Sequence, residues 1–177
     1  NGIKIFCGNG FKFSDEQENT SEDLILNDKL AKLLPPARDM GQAFRMSDVN
    51  GRYVVFLKNT FPRDLSMEGM KIVIDTANGA TYRVAPETFT ELGADVDVIH
   101  HTPNGLNIND ACGSQHTGDL RKKVLETGAA IGLAFDGDGD RLIAVDEKGE
   151  EITGDQIILI CAQMLKKEGK LKNDLLV

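Results

Sequence analysis

Short apolar runs closed by glycine or acidic turns recur along this chain, with stretches of helical spacing between them. Lys71-Ile72-Val73-Ile74-Asp75 reads as a strand, and Ala77-Asn78-Gly79-Ala80 as the turn that leaves it. Val84, Phe89 and Leu92 then mark a helix that ends at Gly93, and Asp95–Ile99 is the next strand. This is strand–helix–strand at the spacing of a parallel crossover, for which a right-handed connection is expected. A polar, Gly/Asn-rich stretch runs from His100 to Gly118. It is followed by a helix at about Leu120–Thr127, a strand Ala130–Phe135 and a second apolar run, Leu142–Val145. Asp146-Glu147-Lys148-Gly149 reads as a hairpin turn leading to Ile152. Gly154-Asp155 opens a helix from Gln156 to about Glu168, and Leu175-Leu176-Val177 begins another strand. The alternation predicts an α/β domain over 48–177, a mixed sheet layered with helices.

The first residues read differently. Asn1–Phe6 enters a strand, Gly8-Asn9-Gly10 turns it, and Phe11-Lys12-Phe13 returns. Ser14 with Gln17 three residues on forms a capping box. The helix it starts is expected to run, with a break, to Leu33-Leu34, where Pro35-Pro36 stops it. One hairpin and one helix bury too little to stand alone, so 1–36 reads as the end of a domain and 37–47 as a linker. Ser47 or Asp48 then caps a helix carrying Tyr53, Phe56 and Leu57 on one face, and Pro62 ends it.

With 177 residues the chain can bury one good core, or one domain and part of another. A net charge of −8 without a Lys/Arg-rich run argues against nucleic acid as the main partner. No apolar stretch is long enough to span a membrane, and the N-terminus lacks a signal-peptide pattern. Cys7, Cys112 and Cys161 lie far apart with no C-x-x-C pair, which points to a reducing cytoplasm without a structural disulfide.

The chemistry concentrates at Asp136-Gly137-Asp138-Gly139-Asp140-Arg141, directly after an apolar strand. Three carboxylates so close repel one another unless a cation, protons or ample water intervene. The glycines let the backbone curl and aim all three at one point. Oxygen-only ligands on a tight loop suit a hard cation, Mg²⁺ or Ca²⁺. Arg141 adds a planar donor fork suited to phosphate or carboxylate. A plain solvated acidic turn is the bland alternative, but turn chemistry alone asks for one or two such residues. An EF-hand fits in part, with Asp136, Asp138 and Asp140 as the first ligands and Glu147 as the last. It fails where Arg141 occupies the position that must be glycine, and where both flanks read as strands. Asp136 as a phosphoryl-accepting nucleophile stays open on the loop alone. Elsewhere the plain readings prevail. Adjacent His100 and His101 point apart on an extended segment and chelate poorly. Ser114-Gln115-His116 lacks an orienting acid, and Cys112 reads as a packed thiol.

Ala134-Phe135-Asp136-Gly137-Asp138-Gly139-Asp140-Arg141 resembles the metal-binding loop of the α-D-phosphohexomutase superfamily. Asn1-Gly2-Ile3-Lys4 is similar to the segment shortly after that family's phosphoserine motif, and Asp75-Thr76-Ala77-Asn78-Gly79-Ala80 to the turn after the first strand of its second domain. Gly105-Leu106-Asn107-Ile108-Asn109-Asp110 and Cys112-Gly113-Ser114-Gln115-His116 look most like the bacterial phosphoglucosamine mutase subgroup. The resemblance covers nearly the whole chain. It implies the end of a first domain and a second domain of a four-domain enzyme. Such enzymes interconvert hexose 6-phosphates and hexose 1-phosphates, here glucosamine phosphates, through a phosphoserine and a bisphosphate intermediate.

By the same resemblance, Asp136, Asp138 and Asp140 hold Mg²⁺ together with a phosphoserine oxygen. Lys4 is the general acid/base, Arg141 binds substrate phosphate, the partner is a phosphohexose and a homodimer is open. The family's Ser-His-Asn-Pro motif precedes the position of Asn1, and its sugar-specificity and phosphate loops lie beyond Val177. His116-Thr117 stands where the family has His-Pro. The chain by itself is therefore expected to lack mutase activity. The competing function class is a metal-binding structural module without catalysis.

Overall fold

The computed structural model describes residues 5–27, 29–30, 33–42 and 44–174. Two compact units divide the chain, 1–46 and 47–177. In the first, residues 1–4 of the expected hairpin lie outside the described residues, and among the described ones it shows an antiparallel bridge, Phe6 with Lys12, closed by Gly10 N donating to Cys7 O. Helix α1, Asp15–Leu26, starts at Ser14 with the capping box to Gln17 in place. It ends well before Pro35-Pro36, at Asn27, and none of its residues is buried. Short helices without a buried face are marginal, so local capping alone fixes its length. Asn27 and Lys29 both donate to Asp23 and close its last turn.

The second unit is built on a five-stranded sheet in the order β2-β1-β3-β4-β5. The strands are β1 Lys71–Asp75, β2 Asp95–Ile99, β3 Ile131–Phe135, β4 Leu142–Asp146 and β5 Glu151–Ile152. β2, β1 and β3 run parallel, whereas β4 and β5 are antiparallel additions. The mixed α/β sheet expected from the sequence is therefore present. Strand periodicity assigns the two faces. Ile72 and Ile74 of β1 pack with Ala85 and Phe89 of α3, Val84–Glu91. Val73, one residue out of phase, packs with Leu120 and Val124 of α4, Gly118–Thr127. Helix α4 packs closely on Gly132 of β3, where an added Cβ would meet Val124 Cγ2 at 2.7 Å and Leu120 Cδ1 at 3.0 Å. Each fully buried aliphatic side chain of this kind contributes about 1.5–3 kcal/mol.

Two helices depart from expectation. In α2, Val49–Lys58, the buried residue is Val54. Of the anticipated face Tyr53, Phe56 and Leu57, only Leu57 is half-buried. Tyr53 and Phe56 turn outward and stack on each other with ring centroids 6.0 Å apart. Asp48 precedes α2 but makes no side-chain cap; its carboxylate instead pairs with Arg52. Helix α5, Gly154–Lys167, is begun by Thr153 and Gln156 in a second capping box, one residue ahead of the expected Gly-Asp opening. The anticipated strand at Leu175–Val177 lies outside the described residues.

Candidate functional site

Parallel pairing brings three strand ends to one edge. Asp75, the last residue of β1, lies in register with Ile99 of β2 and Ala134 of β3. The residues that follow those strands, Thr76, His100 and Asp136, therefore emerge side by side. The carboxyl edge of parallel strands is where layered α/β sheets commonly bind ligands.

The aspartate loop is wound on its own first residue. Asp136 Oδ1 accepts from Gly139 N at 3.0 Å and Arg141 N at 3.2 Å, and Asp136 N donates to Arg141 O at 3.3 Å. Oxygens of Asp136, Asp138 and Asp140 lie within 4.8 Å of one another; Asp136 is half-buried and the other two are exposed. Asp138, and then Asp136, push the Asp140 carboxyl above its ordinary value by charge repulsion, while Arg141 opposes them. A set of three hard oxygens whose mutual repulsion raises a carboxyl fits a small divalent cation, which would relieve that repulsion. Arg141 is exposed next to this group, positioned to add positive charge for an anionic ligand. β3 before the loop and β4 after it are strands, so an EF-hand's helical flanks are absent from this segment. Glu147 sits in the turn at the far end of β4. Lys4 lies outside the described residues.

Neighbouring backbone seats the loop. Ala80 N donates to Gly137 O at 2.8 Å. A Cβ on Gly137 would meet Asn109 Nδ2 at 2.6 Å and Ile108 Cδ1 at 2.7 Å, so any larger residue would have to displace those two side chains. Gly139, at φ +75°, lies against Thr81 in the same way. An apolar cavity of about 560 Å³ opens between α2, α3 and the loop. It is lined by Tyr53, Phe89 and Phe135 among others and by no cationic side chain, so it does not suit a phosphate.

The sequence reading missed a second polar group behind the loop. Asp75 is fully buried. Its Oδ1 accepts from Ala77 N at 2.8 Å, and its Oδ2 from Gly113 N and His100 Nδ1, each at 2.9 Å. His100 Nε2 faces Asp119 Oδ2 at 3.3 Å. His100 is thus engaged on both nitrogens, whereas adjacency to His101 had suggested a plain loop residue. A signal was available: Lys71–Asp75 and Ile131–Asp136 are both apolar strands that close on a carboxylate. Cys112 is buried, and burial followed by the charge of Asp75 pushes its thiol up, as befits a packed residue. His116 is exposed and Ser114 half-buried on a short 3₁₀ turn, Gly113–Gln115.

The surrounding backbone is unusual. Five of the six described non-glycine residues with positive φ are Ala77, Asn78, His100, Asn109 and Ala111. All lie in the loops beside the aspartates. Such conformations cost about 1–3 kcal/mol each and cluster at functional sites.

The chain is similar to known proteins over its whole length. Residues 51–149 match the phosphoglucomutase/phosphomannomutase alpha/beta/alpha domain II. The phosphoglucosamine mutase of Syntrophobacter fumaroxidans is 77% identical over all 177 residues, and that of Syntrophus aciditrophicus is 62% identical over the same span. In both cases the chain spans only 39% of the relative's length. A phosphoglucomutase/phosphomannomutase family protein of Burkholderia thailandensis superposes with a TM-score of 0.62 at 23% identity, over 88% of this chain and 32% of its own. That likeness is one of fold.

Proposed function

This chain belongs to the phosphoglucomutase/phosphomannomutase family, and from that premise we propose that it is the metal-loop portion of a phosphosugar mutase. The observation that carries the proposal is the convergence of Asp136, Asp138 and Asp140 on a glycine-backed loop at the carboxyl edge of the sheet. Asp136, Asp138 and Asp140 would hold Mg²⁺. Bound there, the ion supplies positive charge that offsets the charge spreading over phosphoryl oxygens during transfer.

The chain's own residues have definite tasks in this reading. Asp136 does two jobs, since one oxygen shapes the loop through Gly139 N and Arg141 N and the other is left to face the cation. Asp138 and Asp140 complete the acidic rim. Arg141 offers its fork to an anionic group of the substrate, a hexose monophosphate. Lys4 takes and returns the proton of the sugar hydroxyl. The phosphoryl group is carried by a serine outside these 177 residues. It passes to one hydroxyl, giving a bisphosphate, and the other phosphate returns to the serine. Glucosamine 6-phosphate and glucosamine 1-phosphate are the favoured pair, supported by the 77% identity to a phosphoglucosamine mutase. We place the reaction in the cytoplasm, where phosphorylated sugars are met. The isolated 177-residue chain is inactive in this reading, because it spans 39% of its relatives' length.

The test uses the full-length gene product. It is incubated with a hexose 1,6-bisphosphate and Mg²⁺, and its intact mass and modified residue are determined. One phosphoryl group on a serine is the expected result. Phosphate on Asp136 would replace this mechanism with an aspartyl-phosphate one. No phosphate at all would leave a metal-binding module and overturn the enzyme.

A further inference from the structure

The aspartate loop is wound internally on Asp136, but its seat on the sheet is made by other segments. It rests on two neighbouring loops, 76–80 and 107–113. Ala80 N bonds Gly137 O, while Asn109 and Ile108 press on Gly137. Those supports are the segments with left-handed residues: Ala77 and Asn78 in one, Asn109 and Ala111 in the other, and His100 beside them. Strain of this kind persists only where surrounding contacts over-determine it. Asn78 N donates to His100 O at 2.6 Å, Asn109 N to Ala77 O at 3.0 Å, and Thr76 Oγ1 to His100 O at 2.7 Å. At the centre stands Asp75. Its one carboxylate bonds Ala77, Gly113 and His100, one partner in each of the three strained stretches.

We infer that Asp75 is a positioning residue for the aspartate loop, a buried knot that fixes the loops against which Gly137 is seated. The inference rests on the proposed role of Asp136, Asp138 and Asp140 as metal ligands. Asp75 touches no reacting atom in this reading. Its effect passes through Ala77 to Ala80 and Gly137, and through Gly113, whose added Cβ would strike Phe135 O at 2.5 Å. Asp75, His100 and Cys112 also lie within 4.8 Å of one another, a spacing a metal could bridge. Three donors already occupy the Asp75 oxygens, however, and the thiol is held protonated by burial and by Asp75 itself. Hydrogen bonding accounts for the group without a second ion.

The experiment compares full-length wild type with Asp75→Asn, His100→Ala and Asp138→Asn. Mg²⁺ affinity is measured by calorimetry, and deuterium uptake is followed for the peptide 131–142. Asp75→Asn keeps the shape but sets an N–H₂ against N–H donors. Supporting partners of metal ligands are typically worth 10–100-fold in affinity, so a loss of roughly 10-fold is expected. Faster exchange in 131–142 but not in α5 should accompany it. His100→Ala removes one donor of three and should weaken binding measurably but less than Asp75→Asn does. If Asp75→Asn does not fold, His100→Ala carries the test alone. Folded variants with wild-type Mg²⁺ affinity and uptake overturn the inference while leaving the metal loop standing. Unchanged binding in Asp138→Asn overturns the metal loop itself, and the inference with it.

Discussion

Gly79 and Gly137 meet backbone to backbone. A Cβ on Gly79 would stand 2.7 Å from Gly137 Cα and closer still to its carbonyl oxygen. The φ of Gly79 is −105°, a value that any residue adopts, so the requirement for glycine is one of space and not of conformational freedom. Gly79→Ala should therefore act on the aspartate loop before it acts on the turn. Overpacking of this sort costs about 1–3 kcal/mol. The expected outcome in the full-length protein is a lower melting temperature and weaker Mg²⁺ binding by calorimetry. Retained affinity with lowered stability would separate the two effects and count against seating by Gly79.

The charge on the loop sets a pH dependence. The Asp140 carboxyl is raised above its ordinary value by Asp138 and Asp136. The folded state therefore binds a proton more readily than the unfolded chain. Its contribution to stability is full below the unfolded-state value and is lost as pH rises through the raised one. In metal-free solution Asp140→Asn should consequently raise the melting temperature at neutral pH, with the gain vanishing in acid. With saturating Mg²⁺ the order should reverse, because the variant lacks a ligand. A scan of melting temperature against pH, with and without Mg²⁺, decides it. A variant insensitive to both would mean that the three carboxylates do not act as one group.

Helix α2 offers a contrast between neighbours. Val54 is 1% exposed, whereas Phe56, two residues on, is 61% exposed. Val54→Ala should cost about 2 kcal/mol, and Phe56→Ala in this 177-residue chain less than about 0.5 kcal/mol, as at surface sites. Denaturant unfolding of the two variants measures both. Equal losses would mean that the stacked pair Tyr53–Phe56 is covered in solution.

On the proposed mechanism Lys4→Ala in the full-length protein should lower turnover by roughly 10²–10⁴-fold, the usual worth of a general acid/base, with the metal affinity unchanged. A variant turning over at the wild-type rate would remove Lys4 from the mechanism.

On the proposed mechanism the 177-residue chain, purified alone, should show no mutase turnover and should bind Mg²⁺ more weakly than the full-length protein, whose proposed phosphoserine would add a ligand. Coupled assay and calorimetry test the two halves separately. Measurable turnover, or equal affinity, would contradict the respective half.

The sequence by itself determined the strands and the aspartate loop. Lys71–Asp75 and Ile131–Phe135 are apolar runs too short for helices and bounded by turn residues, a local pattern that no packing needs to supply. Asp-Gly-Asp-Gly-Asp-Arg likewise carries its chemistry in its spacing, because repulsion among three carboxylates is a short-range fact. The capping box of Ser14 and Gln17 was legible for the same reason.

Tertiary structure decided what depends on neighbours distant in sequence. The face of α2 that is buried is set by α3, so Val54 and not Tyr53 or Phe56 turned inward. The length of α1 was set by its own closing contacts and not by Pro35-Pro36, with no buried face to prolong it. The role of His100 was hidden because its partners, Asp75 and Asp119, are 25 and 19 residues away and reach it only once β1 and β2 pair in parallel. A glycine's need for space, as at Gly79 and Gly137, is equally invisible until two loops are brought together. Local pattern sets the elements and brings the three carboxylates onto one loop, but the shape in which those carboxylates are presented belongs to contacts between strand ends that only the folded sheet creates.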